Sequence, residues 1–360
     1  MRRMAWWVAV VIALASSGLA QSTASTAADP ETADYRAERT SDQGVPIIRL
    51  SDTVHKIELA VIPSVGNTAY EMKINGKNIL YFPYTSLDEF QKRPQLSGIP
   101  FLAPWANRLD QDAFYANGKK YNFDMELGNV RGDVPLHGLL TGTPYWEVTS
   151  VIADKSSARY TARLQFWKHP ELMAQWPFAH EYEMTYRLQN GELQVTLTVI
   201  NLSTEAMPVV IGFHPYYQIP GVPRDQWVGH IPARRHVTAD SRLIPTGEYT
   251  AMELAKEFPL QGRTLDDGFT DLERDADGRA HFYIKSGNMK VETSFGPKYP
   301  VAVVWEPNSQ GQPQPFICFE PMSGVTSATN LSQAGKYPGL QTVAPGARWT
   351  ESFWVKGTGF

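Results

Sequence analysis

The sequence holds a single cysteine in 360 residues, Cys318, within the apolar run Phe316-Ile317-Cys318-Phe319. One thiol forbids an internal disulfide, so packing alone must hold the fold, and a thiol in such a run predicts a buried filler rather than a reactive group. Long apolar runs are also scarce. The longest, Ala5 to Ala15, is too short to span a bilayer, so no membrane-embedded chain is expected. Cations are not in excess: Lys+Arg 33 against Asp+Glu 37 leaves a formal net charge of -4. With no basic stripe to follow a phosphate backbone, nucleic acid is not an expected partner. Helical periodicity is nearly missing, and the histidines are scattered without carboxylates at ligand spacing, so no metal is expected.

What is present begins with Arg2 and Arg3, the short apolar run, and the small residues Gly18-Leu19-Ala20. This pattern predicts a signal peptide over residues 1–20 and an exported protein, periplasmic or secreted. Residues 21–43, rich in Ser, Thr, Ala and acidic groups without periodicity, predict a disordered tether. Residues 44–360 read as one domain. The chain is 42% hydrophobic and 12% aromatic, enough for a sizeable core.

Strand alternation dominates that domain. Tyr182, Met184, Tyr186 and Leu188 alternate with Glu183, Thr185 and Arg187, and Leu193, Val195, Leu197 and Val199 follow after Asn190-Gly191. An Asn-Gly pair tolerates the positive φ that a two-residue hairpin turn requires. Asn75-Gly76, Asn117-Gly118 and Asp277-Gly278 predict further hairpins. Many antiparallel strands without alternating helices define an all-β class, a large antiparallel β-sandwich with few short helices.

Five segments carry candidate chemistry. His214 ends the apolar run Met207 to Phe213, where rigid backbone would hold an imidazole able to transfer protons near neutrality. Asn107 and Arg108 close a proline-bearing apolar segment and can hydrogen-bond hydroxyls. His137 precedes Gly138, which gives a ligand close access to backbone. Asp266 opens an Asp-Asp-Gly-Phe turn. Glu320 ends a run that reads as buried, and burial raises a carboxyl pKa toward the range of a general base. Trp105 and Tyr216 are candidate platforms for the apolar face of a sugar ring, as are Trp176 and Trp305.

In order, Ala-Asn-Arg at 106 to 108, His-Gly at 137 and 138, Gly-Phe-His-Pro-Tyr-Tyr at 212 to 217, Asp-x-x-Phe at 266 to 269 and Glu-Pro at 320 and 321 resemble the aldose 1-epimerase (mutarotase) family of the galactose mutarotase-like superfamily. The resemblance implies a β-supersandwich, a metal-free and cofactor-free site, and a small free sugar, an aldohexose such as galactose or glucose, as substrate. It implies Glu320 as the base that deprotonates the anomeric hydroxyl and His214 as the acid that protonates the ring oxygen. Asn107, Arg108, His137 and Asp266 would bind sugar oxygens. Two departures stand out: Pro104-Trp105 occupies a place where many members carry Gly-Arg, and Asp267 replaces a frequent histidine. The chemistry also stands apart from the family, since anomer interconversion needs only one base and one acid that exchange roles.

Other functions make different demands. A glycoside hydrolase would need a second carboxylate, for which Glu306 is the candidate. A non-catalytic sugar-binding domain would keep the fold and lose turnover. A hexose 6-phosphate epimerase would need a cationic cradle, toward which only Arg108 contributes. The expected epimerase requires residues 214 and 320 to meet across a pocket the width of one pyranose.

Overall fold

The structure, a computed structural model, describes residues 34–126, 130–309 and 312–360. The predicted signal peptide and the first part of the predicted tether lie outside the described residues. Three antiparallel sheets of five, nine and eight strands build the domain, and strand makes up 52% of the structure against 7% helix. The architecture is the large antiparallel β-sandwich that the alternation predicts.

The alternation determines which face is buried. In His180–Gln189 every second side chain, from His180 to Leu188, is buried while its neighbours are half-exposed. Glu192–Asn201 continues the pattern after a turn in which Asn190 and Gly191 both have positive φ, 51° and 75°. These two strands lie in the nine-stranded sheet. The inner faces of the nine- and eight-stranded sheets meet through aromatic pairs. Phe213 packs on Phe353 with ring centroids 4.8 Å apart, Phe319 on Phe282 at 5.6 Å, and Phe101 on Tyr182 at 5.2 Å. Such pairs add to the area-based gain of burying large rings.

Asn75-Gly76 and Asn117-Gly118 form hairpins as predicted, joining Thr68–Ile74 to Lys77–Asn78 and Ala113–Ala116 to Lys119–Asn122. Asp277-Gly278 does not. The strands before and after it, Leu265–Leu272 and Ala280–Ser286, belong to different sheets, so the turn carries the chain across the sandwich. The predicted tether is also corrected at its end. Tyr35–Asp42 is an edge strand paired in full register with Val45–Asp52 through a Gln43-Gly44 turn of positive φ, 50° and 83°. Its polar sequence misleads because an edge strand on a half-covered sheet needs few apolar side chains; only Tyr35 is buried in it.

Candidate active site

Adjacent strands of the eight-stranded sheet carry Asp266 and Glu320, with Trp305 between them. Leu265–Leu272, Val301–Glu306 and Ile317–Met322 pair side by side, with Asp266 opposite Trp305, Trp305 opposite Cys318, and Val303 opposite Glu320. Phe319 points into the sandwich, so by alternation Glu320 and Cys318 face outward from it. Glu320 lies within its strand rather than at the end. His214 links two short strands, Gly212–Phe213 and Tyr216–Tyr217, that pair with Ile317–Met322. Its N–H donates to the Pro100 carbonyl at 3.0 Å.

This frame places His214 Nε2 3.2 Å from Glu320 Oε1. The two side chains touch directly rather than across a pocket, and they are nearly closed off, at 4% and 1% exposure. His214 Nδ1 and Glu320 Oε2 have no hydrogen-bond partner among the described residues. Buried polar atoms left this way call for a ligand, a water or strain to explain them.

Two loops are zipped together beside the pair. Arg108 bridges Leu136, the His137 N–H donates to the Asn107 carbonyl at 3.0 Å, and the Asn107 N–H donates to His137 Nδ1 at 3.2 Å. That last bond makes Nδ1 an acceptor, so a neutral His137 carries its proton on Nε2. Asn107 and His137 both sit in the left-handed region, φ 56° and 58°. Such conformations cost free energy and persist where neighbouring structure enforces them. Gly138 has φ 67°, and a Cβ there would lie 2.0 Å from the Ala103 carbonyl oxygen, so only glycine lets the loops close. Asn107 Oδ1 accepts from the Arg108 N–H and from Arg108 Nη1, both at 3.0 Å, and Arg108 Nη2 reaches Asp266 Oδ2 at 3.5 Å.

Burial dominates the electrostatics. It drives His214 down to about 3, with Arg108 adding to the effect. It raises Glu320 well above the ordinary carboxyl range, reinforced by Asp266 and opposed by Arg108. His137 is pushed well down by burial, then by His214 and Arg108. Asp266 is raised, again chiefly by burial. Burial therefore disfavours the charged form of each member of the His214–Glu320 pair and favours one proton shared between them.

Two clefts are lined by the other candidate residues, and neither His214 nor Glu320 lines either of them. One of about 290 Å³ is lined by Asn107, Arg108, Asp266, Gly268 and Val303, and also by His236 and Asp267, which pair at 2.7 Å. The other, about 330 Å³, is lined by His137, Leu136 and Arg131. Nothing in the sequence singled out Arg131 or His236, each a lone polar residue in a polar stretch.

Of the expected aromatic platforms, Trp105 is corrected. It is 2% exposed and packs on Phe123 at 4.6 Å and Trp176 at 6.4 Å, in the main core. It belongs to the proline-bearing apolar segment before Asn107, and that segment packs inward. Trp176 is core as well. Tyr216 is buried and stacks on the His214 ring at 4.8 Å and 15°, where it supports the imidazole. Trp305 is half-buried and stands edge-on to His214 at 5.5 Å. Glu306 lies on the inner face, alternating with Trp305, fully buried 3.7 Å from Arg224 Nε, so it does not join Glu320 as a second carboxylate.

Fold and site together define a galactose mutarotase-like sandwich with a buried histidine–glutamate pair. A galactose mutarotase-like protein from Clostridium acetobutylicum superposes with a TM-score of 0.80 at 24% identity, covering 91% of this chain and 99% of that one. The Slr1438 protein of Synechocystis sp. PCC 6803 gives 0.68 at 27% identity over 90% and 97%. The galactose 1-epimerase of Lactobacillus acidophilus NCFM gives 0.70 at 15% identity over 91% and 99%. The model of the aldose 1-epimerase family matches residues 48–356, and the chain belongs to that family. Among curated proteins, YihR of Escherichia coli K12 is 26% identical over 158 residues, 44% of this chain and about half, 48%, of that protein.

Proposed function

We propose that the protein is an aldose 1-epimerase that interconverts the α and β anomers of a free aldohexose, with Glu320 and His214 as the proton carriers. The observation that carries this reading is the buried 3.2 Å pair with an unpartnered oxygen on one residue and an unpartnered nitrogen on the other. Burial favours the tautomer with the proton on Glu320. The hydroxyls of a bound sugar, with Arg108, offer the hydrogen bonds that favour the carboxylate and move that proton to His214.

Glu320 then takes the proton of the C1 hydroxyl. The C1–O5 bond breaks, its electron pair passes to O5, and O5 takes the proton from His214. The open-chain aldehyde turns about C1–C2 and O5 attacks the other face. His214 recovers the proton from O5 while Glu320 returns one to O1, so atoms and charges balance over the cycle. Both oxygens sit on the same carbon, which suits two proton carriers in mutual contact. Asn107, Arg108, His137 through Nε2–H, and Asp266 supply hydrogen bonds to the remaining oxygens, and the half-buried Trp305 offers an apolar edge beside the ring. Because neither cleft is lined by His214 or Glu320, sugar binding has to open a path to the pair. The sequence of residues 1–20 extends the reading to an enzyme working outside the cytoplasm.

Polarimetry of freshly dissolved α-D-glucose, α-D-galactose and a panel of other aldoses tests the proposal. Acceleration over buffer for at least one sugar is expected. Binding without acceleration would instead make this a carbohydrate-binding member of the fold.

A further inference from the structure

The solvent face of the nine-stranded sheet lies on the opposite side of the sandwich from Glu320 and carries a second concave site. We propose that this site binds an acidic sugar residue, a uronate of a glycan chain, separately from the catalytic site. Its floor is built by register. Arg187 lies opposite Gln194, and Gln194 opposite Trp354, so three adjacent strands present these side chains in one row. Gln189, Glu192 and Lys356 continue the next row, and Asn190 and Arg279 close the rim of a cleft of about 480 Å³. The surrounding face is small and polar. Thr185 bonds Thr161 at 2.9 Å and Thr196 bonds Ser352 at 2.8 Å.

Charge and shape both point to a carboxylate-bearing sugar. Three cations, Arg187, Arg279 and Lys356, line the cleft against one carboxylate, Glu192. Glu192 is committed to Arg279, whose Nη1 reaches both its oxygens at 3.3 and 3.2 Å. The side chains of Arg187 and Lys356 have neither a hydrogen bond nor an ion pair among the described residues, and Arg187 Nε is buried. Two cations are thus left over in a chain whose formal net charge is -4. A guanidinium fork matches a planar carboxylate through two parallel hydrogen bonds. Trp354, half-buried, holds the Arg279 guanidinium 3.7 Å from its ring centroid, which fixes both groups. Gln189, Asn190 and Gln194 add amides, which both donate and accept and so suit ring hydroxyls.

The test is affinity electrophoresis of the full chain through gels containing polygalacturonate, with neutral galactan as the control polymer and inorganic phosphate as a competing anion. Retardation by polygalacturonate and not by galactan is expected. Arg187→Gln combined with Lys356→Gln should weaken binding at least about tenfold, the loss typical of hydrogen bonds to charged groups. The catalytic rate of that variant should match the parent, because the two sites face opposite ways. Free galacturonate should displace the polymer at lower concentration than phosphate does. Absence of retardation, equal retardation of the variant, or equal displacement by phosphate would overturn the proposal, the last by reducing the site to a bare patch of charge.

Discussion

Replacing Glu320 with glutamine should remove one of the two proposed proton carriers and leave almost everything else in place. The residue is 1% exposed, touches His214 at 3.2 Å, and burial favours its protonated form. A neutral amide matches that protonated carboxyl in shape and charge, so folding stability at neutral pH should change by no more than about 1 kcal/mol. The rate should not survive so well. A positioned acid or base contributes roughly 10²- to 10⁴-fold, which is about 3 to 5 kcal/mol of barrier. His214→Asn should cost a similar amount. Because the two residues share one proton, removing either disables both, and the double variant should be no slower than the slower single one. The assay is polarimetry of the favoured sugar with the spontaneous rate in buffer subtracted, with KM staying within a few-fold. A single variant keeping more than about a tenth of the parent kcat, below the range expected for a lost proton carrier, would refute the assignment. So would a double variant whose loss equals the two single losses added in free energy.

Trp105→Phe should lower stability by about 2 kcal/mol through the cavity left among Phe123 and Trp176, with KM unchanged; denaturant unfolding and sugar kinetics read the two halves, and a raised KM at unchanged stability would restore Trp105 to the sugar site. Glu306, fully buried beside Arg224, has its carboxyl raised to about 8, chiefly by burial and against the pull of Arg224. The native state therefore keeps a proton that the unfolded chain releases near 4.5, and the parent should lose stability as pH rises from there toward about 8. Glu306→Gln should remove this slope, a difference on the order of a few kcal/mol, while epimerase activity persists. Unfolding at pH 6 and pH 9 measures it, and an unchanged slope, or lost activity, would contradict the placement.

The sandwich was legible because its strands obey a simple rule: one face wet, one face dry, with Asn-Gly between them. His180–Gln189 and Glu192–Asn201 could be read residue by residue. Tyr35–Asp42 could not, since pairing with a neighbour stabilises an edge strand without an apolar pattern. The pairing of His214 with Glu320 was expected from the family resemblance alone; no periodicity links positions so far apart, and only sheet register brings them together. Trp105 was misread because an aromatic next to polar groups looks the same in sequence whether its loop turns outward or in. Arg187 and Trp354 escaped notice for the reverse reason: polar positions on an alternating strand look like ordinary solvent-facing residues until the sheet aligns them.

His214, Asp266 and Glu320 come from widely separated parts of the chain and are brought together by lateral strand pairing. Loop-closure entropy must be spent on those distant pairings before either proposed proton carrier finds its neighbour. Recovery of turnover during refolding should accordingly trail the recovery of overall strand content, and a fragment lacking the C-terminal strands should show no residual catalysis at all.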